Sequence, residues 1–271
     1  MVEAMTRTHP RADRINEAAD RLWQAEETGS ACEPVRDLLA DGGPDAAYRV
    51  QQINIDRKRK AGLRLIGRKI GLTAFAVQKQ LGVDEPDFGA LLSDMILGDG
   101  CALPPGRILQ PKAEAEIAFL LGSDLDVAMP NVADVLRATA CVMPAIEIVG
   151  SRVSNWDIRL VDTIADNASS GMFVLGTPAR SPLGVDFTGC AMEMRLEDRV
   201  VSSGSGAACM GNPLNAVAWL AGRMQAMGQP LRAGEIILSG ALGPMFALEQ
   251  SGRIMAKISA LGCVSFTISE T

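Results

Sequence analysis

The sequence has a single histidine, His9, and it stands ahead of the first stretch with any periodic pattern. Ser-His-Asp and Cys-His hydrolases need an imidazole base beside the nucleophile, so both classes lack their base here. Histidine-built zinc sites lose their usual ligand for the same reason. The six cysteines, Cys32, Cys101, Cys141, Cys190, Cys209 and Cys263, contain no C-x-x-C pair, which argues against a zinc knuckle or a thioredoxin-like motif. They read as small buried hydrophobes. No apolar run reaches the roughly 18 residues of a membrane span, and the start "MVEAMTRTHPRADR" has no apolar signal-peptide region. The expectation is a cytoplasmic protein with a loose tail over residues 1–10 and no membrane partner. Net charge is −6 without a basic stripe, so no nucleic-acid partner is expected. What is there is a chain of 271 residues, 48% hydrophobic, long enough to bury a sizeable core. Any chemistry it performs must use carboxylates, lysine, hydroxyls or a hard metal ion.

Two helical stretches lead the chain. Ile15, Ala18, Ala19, Leu22 and Trp23 recur at helical spacing over 11–26. "DAAYRVQQINIDRKRKAG" starts at Asp45 and gathers Lys and Arg in its last turns, the favoured placement at a helix C-terminus. Together they predict a helical part over 11–62. From 63 to 271 short apolar runs separated by turn signals predict a strand-rich body. "LRLIGRKIGLT", "EAEIAFLLG", "AIEIVGSRV", "GEIILSGALG" and "RIMAKISALGCVSFTIS" read as strands, and "CAMEMRL" and "RVVSS" as a hairpin about Glu197-Asp198. Helices are expected at "TAFAVQKQLG" between Thr73 and Gly82, at "NVADVLRATACV" behind Asn131, and at "NPLNAVAWLAGRMQAMG" between Asn212 and Gly228. The fold class is mixed α/β (α+β): helices and strands do not alternate regularly enough for a Rossmann fold or a TIM barrel. "GSGAACMG" fits neither G-x-G-x-x-G nor the P-loop, so nucleotide binding is not expected.

Glu114 and Glu116 in "EAEIAFLLG" lie two apart, on one face of a strand. An amphipathic edge strand with solvated acids has the same pattern. Yet Ala118 and Leu120 continue the acids' own face, as at the mouth of a pocket. Glu147 sits between two isoleucines in "MPAIEIVG", where a charge needs a partner. Three carboxylates without His or Cys suit a hard cation such as Mg²⁺ or Mn²⁺. Lys69 in "GRKIG" shares its face with Gly67 and Gly71, which leave its stem uncrowded, while Arg68 points the other way. It is either a surface lysine or a group that stabilises an enolate or carries a proton. Asp87 in "DEPDFGALL" reads alone as a turn residue, and Ser169 in "ADNASSG" and Arg152 in "VGSRV" as loop hydrogen-bonders or surface ion pairs.

In this order, "GRKIGLT", "GVDEPDFGALLSDM", "LQPKAEAEIAFLL", "MPAIEIVGSR", "DTIADNASSG", "GNPLNAVAWLA" and "GEIILSGALGP" resemble the 2-hydroxypenta-2,4-dienoate hydratases of the fumarylacetoacetate-hydrolase-like superfamily, from about residue 46 to the C-terminus. The resemblance implies a strand-rich body with helices at its N-terminal end, and a divalent-metal enzyme of a meta-cleavage pathway in aromatic catabolism. It implies Glu114, Glu116 and Glu147 as ligands of Mg²⁺ or Mn²⁺, Lys69 and Asp87 as catalytic residues, and Ser169 as a substrate contact. Arg152 joins Ser169 as a candidate substrate-binding residue. The implied reaction hydrates 2-hydroxypenta-2,4-dienoate, a small-molecule substrate, to 4-hydroxy-2-oxopentanoate. A homo-oligomer is implied, with room for association with neighbouring pathway enzymes. The rivals are 4-oxalocrotonate decarboxylation and C–C hydrolysis of an acylpyruvate. "GRK" and "PDFG" are the hydratase forms where decarboxylases tend toward "GLK" and "P-x-YG", and hydrolase branches with a catalytic histidine have only His9 to offer. A non-catalytic subunit would show damage among the three glutamates and Lys69, and all four are present.

Overall fold

The computed structural model describes residues 10–269 except 41, 76, 77, 80–82 and 84. The expected tail, and the part of the expected 73–82 helix that includes its Gly82 stop, lie outside the described residues. The chain opens with α1 (Pro10–Thr28), the single turn α2 (Arg36–Leu39) and α3 (Gly43–Lys60). The helical stripe of α1, Ile15, Ala18, Ala19 and Leu22, is buried against Ala46, Ala47 and Val50 of α3. Pro44 occupies the first turn of α3 and Arg57, Lys58, Arg59 and Lys60 its last, so the helix dipole is complemented at that end.

There follow β1 (Leu65–Gly71), β2 (Asp87–Leu92), β3 (Ile96–Leu97), β4 (Ala102–Leu103), β5 (Lys112–Leu121), α4 (Val132–Ala138), β6 (Thr139–Val149), α5 (Leu160–Ala165) and β7 (Met172–Leu175). The chain ends with β8 (Ala191–Leu196), β9 (Arg199–Ser205), α6 (Pro213–Ala226), β10 (Ile236–Leu238), β11 (Phe246–Ala247), β12 (Gly252–Ile258) and β13 (Gly262–Ile268). One mixed sheet runs β2-β1-β10-β5-β6-β7-β3, with β11 also on β5, and a second runs β4-β13-β12-β8-β9. Their facing sides share one core with α6, whose Leu214, Val217, Leu220, Ala221 and Met224 are buried as its spacing predicts.

The antiparallel pair β5–β6 is the spine of the larger sheet. Ala113, Ala115, Ile117 and Phe119 on one face of β5 are at most 1% exposed. Burying an Ile or Phe side chain contributes roughly 1.5–3 kcal/mol. A register slip of one residue would exchange the two faces, turning Ile117 and Phe119 toward the site and the acids into the apolar core, so the apolar face fixes where Glu114 and Glu116 point.

Three local expectations change. The helix behind Asn131 has the expected cap, with the Asn131 side chain accepting from Ala133 and Asp134 N–H groups, but it stops at Ala138. The "TACV" that follows is taken over by β5, with Thr139 opposite Leu121 and Cys141 opposite Leu120, because strand pairing there outweighs helical continuation. "GSRV" lies past the end of β6. "LVDTIADNAS", given no element from the sequence apart from Ser169 as a loop residue, is the short helix α5 followed by a 3-10 turn over Asn167–Ser169.

Candidate active site

Register places Glu114 of β5 directly opposite Glu147 of β6, with Glu116 next along the same face. One carboxylate oxygen from each of the three lies within 4.8 Å of the others. Like charges opposite one another destabilise a sheet, and burial makes the repulsion worse. Glu116 and Glu147 are 0% exposed. Glu116 Oε2 accepts from the Gly240 N–H at 2.8 Å, while its Oε1 is buried without a hydrogen-bond partner among the described residues. Burial, then the neighbouring carboxylates Glu147 and Glu114, hold Glu116 well above the usual carboxylate range. Burial raises Glu114 as well, to about 7, with Lys69 opposing and Glu147 and Asp87 adding to the rise.

Lys69 stands among them, 2% exposed. Its Nζ is 3.2 Å from Glu147 Oε2 and donates to the Ala168 carbonyl at 3.0 Å. Burial opposes its charge, but Glu147, Asp87, Glu114 and Glu116 outweigh that and keep it an ammonium. Gly67 and Gly71, expected to leave the lysine stem uncrowded, chiefly make room for other groups. A Cβ on Gly71 would lie 2.1 Å from Asp87 Oδ1 and 3.4 Å from Lys69 Nζ, and one on Gly67 would lie 2.0 Å from the Ile236 carbonyl oxygen. Asp87, opposite Gly71 on β2, is 1% exposed. Its Oδ2 accepts from Thr163 Oγ1 at 3.3 Å, and Thr163 is 3.2 Å from Ser169 Oγ. Its Oδ1 has no hydrogen-bond partner among the described residues. Burial raises its pKa against the opposing charge of Lys69.

The fourth wall is the turn 166–170, where Asn167, Ala168 and Ser169 all have positive φ (54°, 51° and 55°). Such backbone is costly and persists only when its surroundings hold it. The Asn167 side chain exchanges hydrogen bonds with the Ala90 N–H and carbonyl of β2 at 2.8 and 2.9 Å. Arg152 holds the turn from behind. It pairs with the Asp166 carboxylate through Nε and donates to the Asp166 and Ser170 carbonyls at 2.8 and 3.0 Å. Ser170 Oγ in turn donates to Glu147 Oε1 at 3.3 Å. The structure therefore brings Glu114, Glu116, Glu147, Lys69 and Asp87 together, with Ser169 reached through Thr163. Arg152 stands behind the turn with its donors engaged there. Sequence reading passed over Thr163, Ser170, and the backbone groups of Ala168 and Gly240. "DTIADNASSG" held the first two, but only the placement of α5 aims Thr163 inward, and the turn after it Ser170.

A cleft of about 450 Å³ opens beside Glu114. Ile70, Leu72, Ala208, Ala241, Pro244 and Met245 make it apolar, and no lysine or arginine lines it among the described residues.

A family model for the C-terminal domain of fumarylacetoacetate hydrolase matches residues 70–269. The chain belongs to this family. It is 51% identical over 256 residues to a 2-keto-4-pentenoate hydratase from Burkholderia vietnamiensis, covering 94% of this chain and 98% of that relative. It is also 51% identical over 255 residues to the TodF product hydratase of Pseudomonas putida, covering 94% and 95% of the two chains. Among solved structures, 4-oxalocrotonate decarboxylase from Pseudomonas putida, complexed with magnesium and adipate, superposes with a TM-score of 0.90 at 30% identity, covering 95% of this chain and 98% of that one. The shared fold is the mixed α/β body expected from the sequence.

Proposed function

We propose that this family member is a hydro-lyase converting 2-hydroxypenta-2,4-dienoate to 4-hydroxy-2-oxopentanoate, a step of meta-cleavage aromatic catabolism, with Mg²⁺ or Mn²⁺ as cofactor. The observation that carries the metal is the Glu114–Glu147 pair with Glu116 beside it. Three buried carboxylates, Glu116, Glu147 and Asp87, and the half-buried Glu114 face one ammonium, and Glu116 Oε1 has no partner among the described residues. An all-oxygen donor set of this kind suits a hard divalent ion, with Glu114, Glu116 and Glu147 as its ligands. When bound, such an ion polarises the 2-oxo group of the substrate and stabilises enolate charge.

The remaining steps fall to the chain's own groups. The ammonium of Lys69 stabilises oxyanion character at C2 and hands over or receives a proton. Ketonisation moves the enol proton to C5 and leaves a C3=C4 double bond conjugated to the 2-oxo group. Water then adds its oxygen to C4 while a proton enters at C3, so the product is the substrate plus one water. Asp87, with its proton affinity raised and Oδ1 free, takes the proton of that water, oriented by Thr163 and Ser169. Arg152 acts as a positioning residue for the turn that carries Ser169.

The lining of the cleft beside Glu114 favours hydration over decarboxylation. A dienoate whose far end is hydrogen or alkyl suits an apolar cleft, whereas 4-oxalocrotonate would bring its second carboxylate into a space with no cation among the described residues. A homo-oligomer in the cytoplasm completes this reading, and no described helix is long and apolar enough to cross a membrane. Sedimentation velocity checks the oligomer.

The test is an ultraviolet assay with freshly generated dienol, with Mg²⁺ or Mn²⁺ and then with a chelator, and with the product identified. Metal-dependent formation of 4-hydroxy-2-oxopentanoate is expected. Loss of dienol absorbance without that product is mere ketonisation, and carbon dioxide release from 4-oxalocrotonate in its place would overturn the assignment. Lys69→Met is expected to lower turnover roughly 10²–10³-fold. It should leave metal affinity intact, because removing a cation does not weaken an acidic metal site. Loss of metal binding in this variant would count against the division of roles.

A further inference from the structure

The strands that present Lys69 and Asp87 to the site present Arg68 and Phe88 to their reverse face, where β1 and β2 meet α3 and α6. A cleft of about 550 Å³ lies there. Arg68 lines it and is 7% exposed. Its one hydrogen bond among the described residues is to its own neighbour, from Nη1 to the Gly67 carbonyl at 3.2 Å, and no described carboxylate forms an ion pair with it. A guanidinium so deeply buried needs an anion or several hydrogen bonds to offset its lost hydration. Glu235 is the acid whose field it feels most, yet Glu235 makes no ion pair with it and does not line the cleft.

The rim adds positive charge. Arg49, Arg59 and Arg223 line the same cleft, against one acid among the described residues, Asp45. Arg49 has no ion pair among the described residues. Arg59 and Arg223 have only loose exposed ones, to Asp56 at 3.8 Å and Glu85 at 4.0 Å. The rest of the wall combines the amides of Gln51, Gln52 and Gln229 with an apolar and aromatic part. Tyr48 stacks on Phe88 with ring centroids 4.4 Å apart, and Leu65 and Met224 line the same cleft.

We propose that this cleft is a second ligand site, separate from the carboxylate cluster, which binds an aromatic monocarboxylate with the carboxylate on Arg68 and the ring against Tyr48 and Phe88. The planar fork of Arg68 matches a carboxylate through two parallel hydrogen bonds. The rim arginines attract the anion, and the ring takes the apolar wall. The proposal does not depend on the hydratase reading.

Calorimetric titration of the full-length, metal-loaded protein with benzoate tests it, with benzyl alcohol as the uncharged match. Benzoate is expected to bind and benzyl alcohol not to bind. Arg68→Met should lower benzoate affinity at least tenfold, and Arg68→Lys several-fold, because an ammonium cannot make the paired contact. Should Arg68→Met fail to fold, Arg223→Met at the exposed rim is expected to weaken binding several-fold in a protein with an unchanged melting temperature. Glu114→Gln should leave benzoate binding as it was. Binding that Glu114→Gln abolishes and Arg68→Met spares would belong to the carboxylate cluster and overturn the proposal. Equal binding of benzyl alcohol would reduce the cleft to an apolar hollow. A change of sedimentation coefficient in Arg68→Met, with benzoate affinity unaltered, would make the cleft a contact between subunits instead.

Discussion

A methyl group at residue 71 would stand 2.1 Å from Asp87 Oδ1, so the only way to keep both is to move the aspartate. Gly71 is needed for closeness rather than for a turn, since its φ is not in the left-handed region. Gly71→Ala is therefore expected to lower kcat by roughly tenfold to a hundredfold through displacement of Asp87. Circular dichroism and metal affinity should stay as in the parent chain, and an unchanged kcat in a folded variant would remove Asp87 from the reaction. At this scale the sequence was legible where a side chain's direction follows from strand alternation. Glu114, Glu116 and Lys69 were readable in that way. The Glu114–Glu147 pairing was not, because a register between strands separated by α4 is set by what both bury. Arg152 was a loop arginine in the sequence. Only the positive-φ turn it supports explains its burial.

At the scale of elements, one buried side chain ties the N-terminal helices to the wall of the site. Asp162 in α5 is 0% exposed. It accepts from the Val35 and Arg36 N–H groups and from Arg36 Nη1, each at 2.9 Å, as well as from the Arg159 N–H. Removing it leaves buried N–H donors and a half-buried guanidinium without their acceptor. Asp162→Ala is expected to cost about 3 kcal/mol, read as a lower urea midpoint. It should also lower turnover, because the next residue, Thr163, holds Asp87. A loss of stability within 0.5 kcal/mol of zero would show that α2 is held by other contacts. None of this was legible in "LVDTIADNAS", whose six helical residues are too few for a periodic signal. The longer α1, α3 and α6 were legible because their buried stripes repeat over several turns.

For the whole molecule, the carboxylate cluster makes stability depend on pH and on metal together. Glu114 has its pKa pushed up to about 7, against the ordinary glutamate value in an unfolded chain. The folded, metal-free protein thus prefers the protonated acid. The stability this group contributes is complete below the ordinary glutamate range and is lost as pH rises through about 7. A ligand must shed its proton to bind metal, so a metal's stabilisation grows over the same interval. Thermal unfolding in chelator is expected to give a lower Tm at pH 8 than at pH 5.5 from this group, and Mg²⁺ should raise Tm more at pH 8. Glu114→Gln should flatten both dependences. A Mg²⁺ increment that stays constant across that range would contradict the placement of Glu114 at the ion.

The sequence by itself determined the class of chemistry, since a chain whose lone histidine precedes its first element has only carboxylates, lysine and hydroxyls to work with. It determined the faces of β1 and β5 as well, because alternation is local and the apolar face has one place to go. The tertiary structure alone decided that Glu147 opposes Glu114, that Gly240 and Ala168 lend backbone groups to the site, and that Arg68 lies buried behind it without an ion pair among the described residues. Each of these is a contact between segments far apart in the chain. Their energies come from burial and mutual charge, which no single segment carries.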